Sequence, residues 1–148
     1  MIKHIWSLLC QESVINEDDK SLSINKILEG VNIGVKVSKN NKIGEKINIP
    51  IKYEIVSLFT REKKRKEEEK ADVILKLLSP RNEELSMTEK EIVIGSNSKS
   101  LRFRIKASGI VVKESGTYHF SINIKNKNEK EFVEVIQIPL EVNIKTEG

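Results

Sequence analysis

Apolar and polar residues alternate over most of this chain, most regularly between Ser115 and Ile144. Tyr118, Phe120, Ile122 and Ile124 alternate with His119, Ser121, Asn123 and Lys125, the two-residue period of a strand with one buried face. A polar turn, Asn126 to Lys130, follows. Ile136, Ile138, Leu140, Val142 and Ile144 then alternate with Gln137, Pro139, Glu141, Asn143 and Lys145. Two such runs around a short turn predict a β-hairpin that places nine apolar side chains on one core face.

The same reading extends toward the N-terminus. Ile2 to Cys10 predicts a first strand, and Leu8, Leu9 and Cys10 in succession ask for burial on both faces, hence a central position. Asn16 to Asp19 predicts a turn, because Asn and Asp side chains bond their own backbone there. Leu22, Ile24 and Ile27 begin a second strand ending at Gly30, and Val31, Ile33, Val35 and Val37 form a third that Asn40 and Asn41 close. Ile47, Ile49, Ile51, Tyr53, Ile55 and Phe59 share one parity and predict the longest strand. Pro50 has no N–H for a ladder, so its part should lie at an edge or a bulge. Ala71–Leu78 is a short buried strand, Pro80–Glu84 a turn, and Met87, Ile92 and Ile94 mark another extended segment. Leu101, Phe103, Ile105 and Ala107 alternate with Arg102, Arg104 and Lys106, and Gly109 and Gly116 bracket a crossing into the final hairpin. The set predicts an all-β, antiparallel, immunoglobulin-like β-sandwich of eight or nine strands, with a closed barrel as the alternative. Phe103, Tyr118, Phe120, Ile138 and Leu140 are its expected core.

Composition narrows the picture. The 148 residues, 38% hydrophobic and 32% charged, suit one globular domain, 1–148. A net charge of +4, with both signs interspersed, does not by itself demand a nucleic-acid partner. Cys10 is the only cysteine, which excludes an internal disulfide and points to a reducing, cytoplasmic location. The apolar run before Gln11 and Glu12 is too short for a signal peptide, and no run reaches the ~18 residues of a membrane span, so no membrane association is expected.

The opening IWSLLC, the following LSINKILEGVNI and the closing Ser115-Gly116-Thr117-Tyr118-His119-Phe120 and Ile138-Pro139-Leu140-Glu141-Val142 resemble an uncharacterised group of bacterial and phage-associated β-sandwich proteins. In that group a Leu-Cys first strand leads into a Ser-Leu strand, and a Pro-Gly-x-Tyr-x-Phe entry precedes a Pro-Leu-x-Val strand. Ser115 stands where the group often has proline. The resemblance covers roughly the first 35 and last 35 residues. It implies a sandwich and carries no activity.

Candidate chemistry is sparse. A nucleophilic Cys10 needs a base beside it, and the only histidines, His4 and His119, have no spacing that places them there. Those two histidines also lack any metal-ligand spacing, and Asn16–Asp19 lacks the glycine and distal glutamate of a calcium loop. No catalytic residue and no cofactor is expected, and the chain reads as non-enzymatic. Arg102, Arg104 and Lys106 project from one strand face as a cationic stripe about 13 Å long, a candidate phosphate-following surface. Thr60–Lys70 holds six basic and four acidic residues and no large apolar one. It predicts a charged, mobile hairpin loop, dispensable for folding, with Arg61, Lys63, Lys64, Arg65 and Lys66 as candidate partner contacts. The favoured expectation is a protein-binding or self-associating module, and the alternative is an electrostatic nucleic-acid binder.

Overall fold

Alternation becomes nine strands: β1 (Lys3–Ile15), β2 (Leu22–Ile27), β3 (Gly30–Lys36), β4 (Ile47–Thr60), β5 (Glu69–Leu78), β6 (Glu84–Ile94), β7 (Ser100–Val112), β8 (Gly116–Asn126) and β9 (Val133–Glu147). The computed structural model describes residues 1–36 and 46–147; Val37, Asn40 and Asn41 lie outside the described residues. Pairing sorts the strands into a four-stranded sheet, β2-β1-β4-β7, and a five-stranded sheet, β3-β9-β8-β5-β6. This is a β-sandwich, and among the described residues no helix is long and apolar enough to cross a membrane. Six of the seven pairings are antiparallel, and β3 runs parallel to β9. β1 is a central strand, as its two-faced apolar run requires.

One continuous core fills the space between the sheets. Leu9, Tyr53, Ile55 and Phe59 face it from the four-stranded sheet, and Val73, Leu75, Tyr118, Phe120, Ile122 and Leu140 from the other. Tyr53 and Phe120 meet across the gap with ring centroids 5.5 Å apart. The Tyr118 ring is fully buried while its hydroxyl donates to the Glu114 carbonyl (2.7 Å) and accepts from the Lys113 and Glu114 amides (2.9 and 3.0 Å). One phenol thus fixes the corner by which β7 passes into β8. Gly116 must be glycine here: its φ is +147°, and a Cβ would lie 2.7 Å from Pro80 Cγ.

The outer face of the four-stranded sheet is also covered. Ile55 and Val56 point to opposite sides of β4, and both are fully buried, as is Cys10. The cover is the β1–β2 hairpin. Its register puts Ser13, Ile15, Leu22 and Ile24 on one side, and Ser13 on that side bonds Glu54 of β4 and Arg104 of β7. Three residues beyond Cys10, which pairs with Glu54, an extended straight β1 would carry Ser13 well past Arg104, whose register partner is Val56. The hairpin tip therefore folds back over the sheet and closes a second, smaller apolar layer.

Several expectations change. β1 continues past Cys10 to Ile15, and β9 is one residue longer than β4. Pro50 does sit at a bulge, between Ile49 and Lys52. Tyr118, Phe120, Ile138 and Leu140 are buried, but Phe103 is only partly so, because β7 is an edge strand and one flank of its inner row stays open.

Phe120→Ala should lower the unfolding free energy by ~3–5 kcal/mol, measured by urea denaturation. Tyr118→Phe keeps the ring and strands a backbone carbonyl, and should cost about 1–3 kcal/mol. A Tyr118→Phe protein as stable as wild type would remove the hydroxyl from the corner's support.

Candidate functional site

The charged run is not a hairpin loop. β4 ends at Thr60 in one sheet and β5 begins at Glu69 in the other, so the connection crosses between sheets. Glu69 and Lys70 already pair with Ile94 and Val93.

Arg61, the first residue after β4, is the largest of the fully buried side chains among the described residues. Arg61 continues the inward parity of Ile55 and Phe59 and is 2% exposed. Its Nε donates to the Ser98 carbonyl (2.9 Å) and Nη1 to that of Glu67 (2.9 Å). Nη2 donates to the carbonyls of Arg65 (3.2 Å) and Gly95 (3.1 Å). A guanidinium has five N–H donors in a rigid fork, and four of them are used here. The Glu69 carboxylate lies 3.9 Å away. Burying a cation is costly unless it is paired and bonded, and these partners satisfy it. In return the guanidinium ties the 61–68 connection to the turn between β6 and β7. Asn97, in the left-handed conformation at φ 62°, adds a bond from its amide to the Arg65 carbonyl (2.7 Å).

Arg61 is therefore a structural residue, not an exposed partner contact, and the run is not dispensable as a whole. Lys63, Lys64, Arg65 and Lys66 are exposed on the loop that it holds. Beside them stands the β8–β9 turn. Asn126 there is 7% exposed, and its amide mimics a strand, accepting from the Ile2 amide (2.9 Å) and donating to the Ile2 carbonyl (3.1 Å). Glu129 Oε1 accepts from the Asn126 amide nitrogens and is held below the usual carboxylate range by those bonds. Between this turn and the 61–70 segment lies an open cleft of about 540 Å³, walled by Arg65, Glu67, Glu68, Lys127 and Asn128 among others. The loop end is thus a fixed frame carrying exposed charges of both signs.

The other candidates resolve into structure. Arg102, Arg104 and Lys106 do share the outer face of β7, but each reaches back over the sheet. Arg102 Nη1 donates to the Lys20 carbonyl (2.5 Å), Arg104 Nη1 to the Ser13 carbonyl and hydroxyl (3.4 Å each), and Lys106 Nζ lies 3.8 Å from Glu54. Arg102 and Arg104 clamp the folded-back hairpin, while Lys106 pairs with Glu54 on the neighbouring β4. The register continues this stripe not with further cations but with Leu58, Val56 and Glu54, then Trp6, Leu8 and Cys10.

Cys10 is fully buried, and its thiol is pushed up by burial first and by the Glu54 charge second, the opposite of an activated nucleophile. His4 bonds the Ser7 hydroxyl (2.7 Å) and packs edge-on against Phe59, and the described residues hold no metal-like cluster for it to join. His119 lies on the outer face of β8. Asn16–Asp19 forms the expected Asx turn, with Asn16 Oδ1 accepting from the Asp18 amide. The role of Arg61 was legible only as parity: position 61 falls on the inward row after Phe59.

No family model and no curated protein matches this chain. Solved structures similar to it include the C-terminal domain of wzt, at 12% identity, covering 69% of this chain and 72% of that one, with a TM-score of 0.43. The N-terminal domain of PorA is similar over 95% of this chain and 98% of its own, at 10% identity and a TM-score of 0.26.

Arg61→Leu should destabilise by more than about 1–3 kcal/mol, since it leaves several carbonyls without a donor, whereas Lys64→Ala should stay within roughly 0.5 kcal/mol of wild type. Equal melting temperatures for the two variants would refute the structural role. Burial also holds His4 below its ordinary value of 6.5. The unfolded chain then takes up its proton first as pH falls, so the His4 contribution is complete above that value and declines below it. Between about pH 7 and about pH 5, wild type should lose more unfolding free energy than His4→Gln.

Proposed function

We propose that this chain is an immunoglobulin-like, non-catalytic interaction module that binds another protein through its loop end. Three features support the immunoglobulin-like reading. A strand of the first half, β3, lies parallel beside the last strand, β9. A tyrosine at the start of β8 bonds backbone four residues upstream, as the tyrosine corner of such sandwiches does. Tyr53 and Phe120, on the strands that carry the inter-sheet disulfide in antibody domains, bridge the sheets by aromatic contact.

The single observation that carries the binding reading is the Arg61 anchor. It holds the β4–β5 connection and the β6–β7 turn in one arrangement, next to the β8–β9 turn. Loops in these positions form the recognition end of variable-type sandwiches. Loops fixed before binding lose less entropy on association. Lys63, Lys64, Arg65 and Lys66 make an acidic protein surface the fitting partner. The resemblance to bacterial and phage-associated sandwiches and the lone buried thiol support a cytoplasmic role in such a setting. For the nucleic-acid alternative, the hairpin clamp of Arg102 and Arg104 and the Lys106–Glu54 pair supply a structural reason for the stripe, and salt-sensitive DNA or RNA binding at low ionic strength would be needed to revive it.

A photo-crosslinking residue placed at Lys64 should capture a discrete partner in native lysate. One placed at Gln137, on the outer face of β9, should not. A probe at Asn128, across the cleft, should capture the same partner, and charge reversal at Lys63, Lys64 and Lys66 should abolish that adduct while leaving the melting temperature within a few degrees. Capture that is indifferent to this reversal would sink the loop-end assignment.

A further inference from the structure

The geometry points to a second interaction surface, independent of the loop end: the free edge of β7, which we propose accepts an added antiparallel strand from a partner whose residues alternate acidic and apolar. β7 is 13 residues long and ends the four-stranded sheet. From Ser100 to Ser108 it pairs with β4 in unbroken register, Thr60 to Lys52. In such a ladder every second residue turns its N–H and C=O away from the partner strand. Among the described residues, no strand pairs with that outer edge.

Two of the other edges, β2 and β6, are blunted in ways that β7 is not, and the third, β3, has only seven residues. β2 has only six residues, with Lys26 at φ 56° breaking its extended course. β6 carries Ser86, Thr88 and Lys90 at register positions opposite the core residues Leu77, Leu75 and Val73, so a polar, exposed row points inward and discourages pairing. On β7 the corresponding inner row is Leu101, Phe103, Ile105 and Ala107. All four pack against the core yet remain partly exposed. This flank of the sandwich is unfinished, and a neighbouring strand would bury it.

The outer row selects the guest. Arg102, Arg104 and Lys106 lie there; the first two bond neutral hairpin groups, which leaves their charge uncompensated, and among the described residues only Lys106 has a carboxylate within 4 Å. A second copy of β7, laid antiparallel about Arg104, would set Arg104 against Arg104 and Arg102 against Lys106, which is destabilising. A strand with Asp or Glu at every second position meets the three cations with opposite charge, and its intervening apolar residues fall beside Phe103 and Ile105. Main-chain bonds would give affinity and the alternate side chains specificity, as in β-strand addition generally.

The probe is a synthetic nine-residue peptide alternating Glu and Val, with a Lys-Val peptide as control, titrated into the 15N-labelled full chain. The Glu peptide should perturb amides of residues 100–108 and slow their hydrogen exchange, and the Lys peptide should bind at least about tenfold more weakly, consistent with three charge pairs. Lys106→Glu, at an exposed position that no hairpin bond uses, should narrow that preference with thermal stability retained. Arg102→Glu with Lys106→Glu should reverse it, at some loss of stability because Arg102 also bonds the Lys20 carbonyl. The proposal is overturned if neither peptide protects β7 amides, if both bind equally, or if perturbations fall on the 61–68 loop instead. Concentration-dependent protection of β7 without peptide would assign the edge to self-association and equally refute it.

Discussion

The structure depends on one layer of side chains trapped between two sheets. No disulfide links them, and no helix covers them among the described residues. Each strand presents every second side chain inward, so each sheet is a surface that water penalises until the other covers it. Tyr53 and Phe120 mark the centre of that contact, and Tyr118 extends it to the corner where the chain crosses from one sheet to the other. Because the layer is non-directional, it tolerates many partners in principle. The polar devices at its margins select one arrangement: the Tyr118 hydroxyl at one end, the Arg61 guanidinium and the Asn126 amide at the other.

Those devices share a logic. Wherever the chain leaves a sheet, backbone groups lose their ladder partners and must find others. Tyr118 serves the β7–β8 corner, Arg61 serves two crossings at once, and Asn126 stands in for a strand beside Ile2. Each is a polar side chain with an apolar or extended body, buried to its tip. A cation can be accommodated in such a place because carbonyl oxygens already needing donors surround it. The same bonds fix the loop end, so the closure of that end of the sandwich and the pre-arrangement of its proposed recognition surface share one residue, Arg61.

Charge on the four-stranded sheet plays a parallel part. Arg102 and Arg104 carry the β1–β2 hairpin tip by donating to its carbonyls, with Glu54 anchored under Ser13. The outer layer so formed explains why Cys10 and Val56 are as dry as the main core. It also leaves the flank of β7 as the long apolar edge without inward charge, where the inner row is present and its last neighbour is not.

The sequence by itself determined the fold class, the strand set and the final hairpin, because a period of two is a local property that any half-buried strand must show. It also placed Pro50 at an edge or a bulge and β1 at the centre of a sheet, from the missing N–H and from apolar residues on both parities. It could not distinguish a buried charge from a solvated one. Arg61 and Lys63 share a charge and a charged neighbourhood, and they differ in whether carbonyls of their own loop and of the distant β6–β7 turn converge there. Phe103 looked like core because parity names the inward side and not how many neighbours stand beyond it. The basic stripe looked like a surface because nothing local announces that a hairpin folds back to meet it. Strand pairing order, the crossing of chain ends and the acceptors waiting for each donor are relations between segments far apart in sequence, and only the tertiary structure decided them.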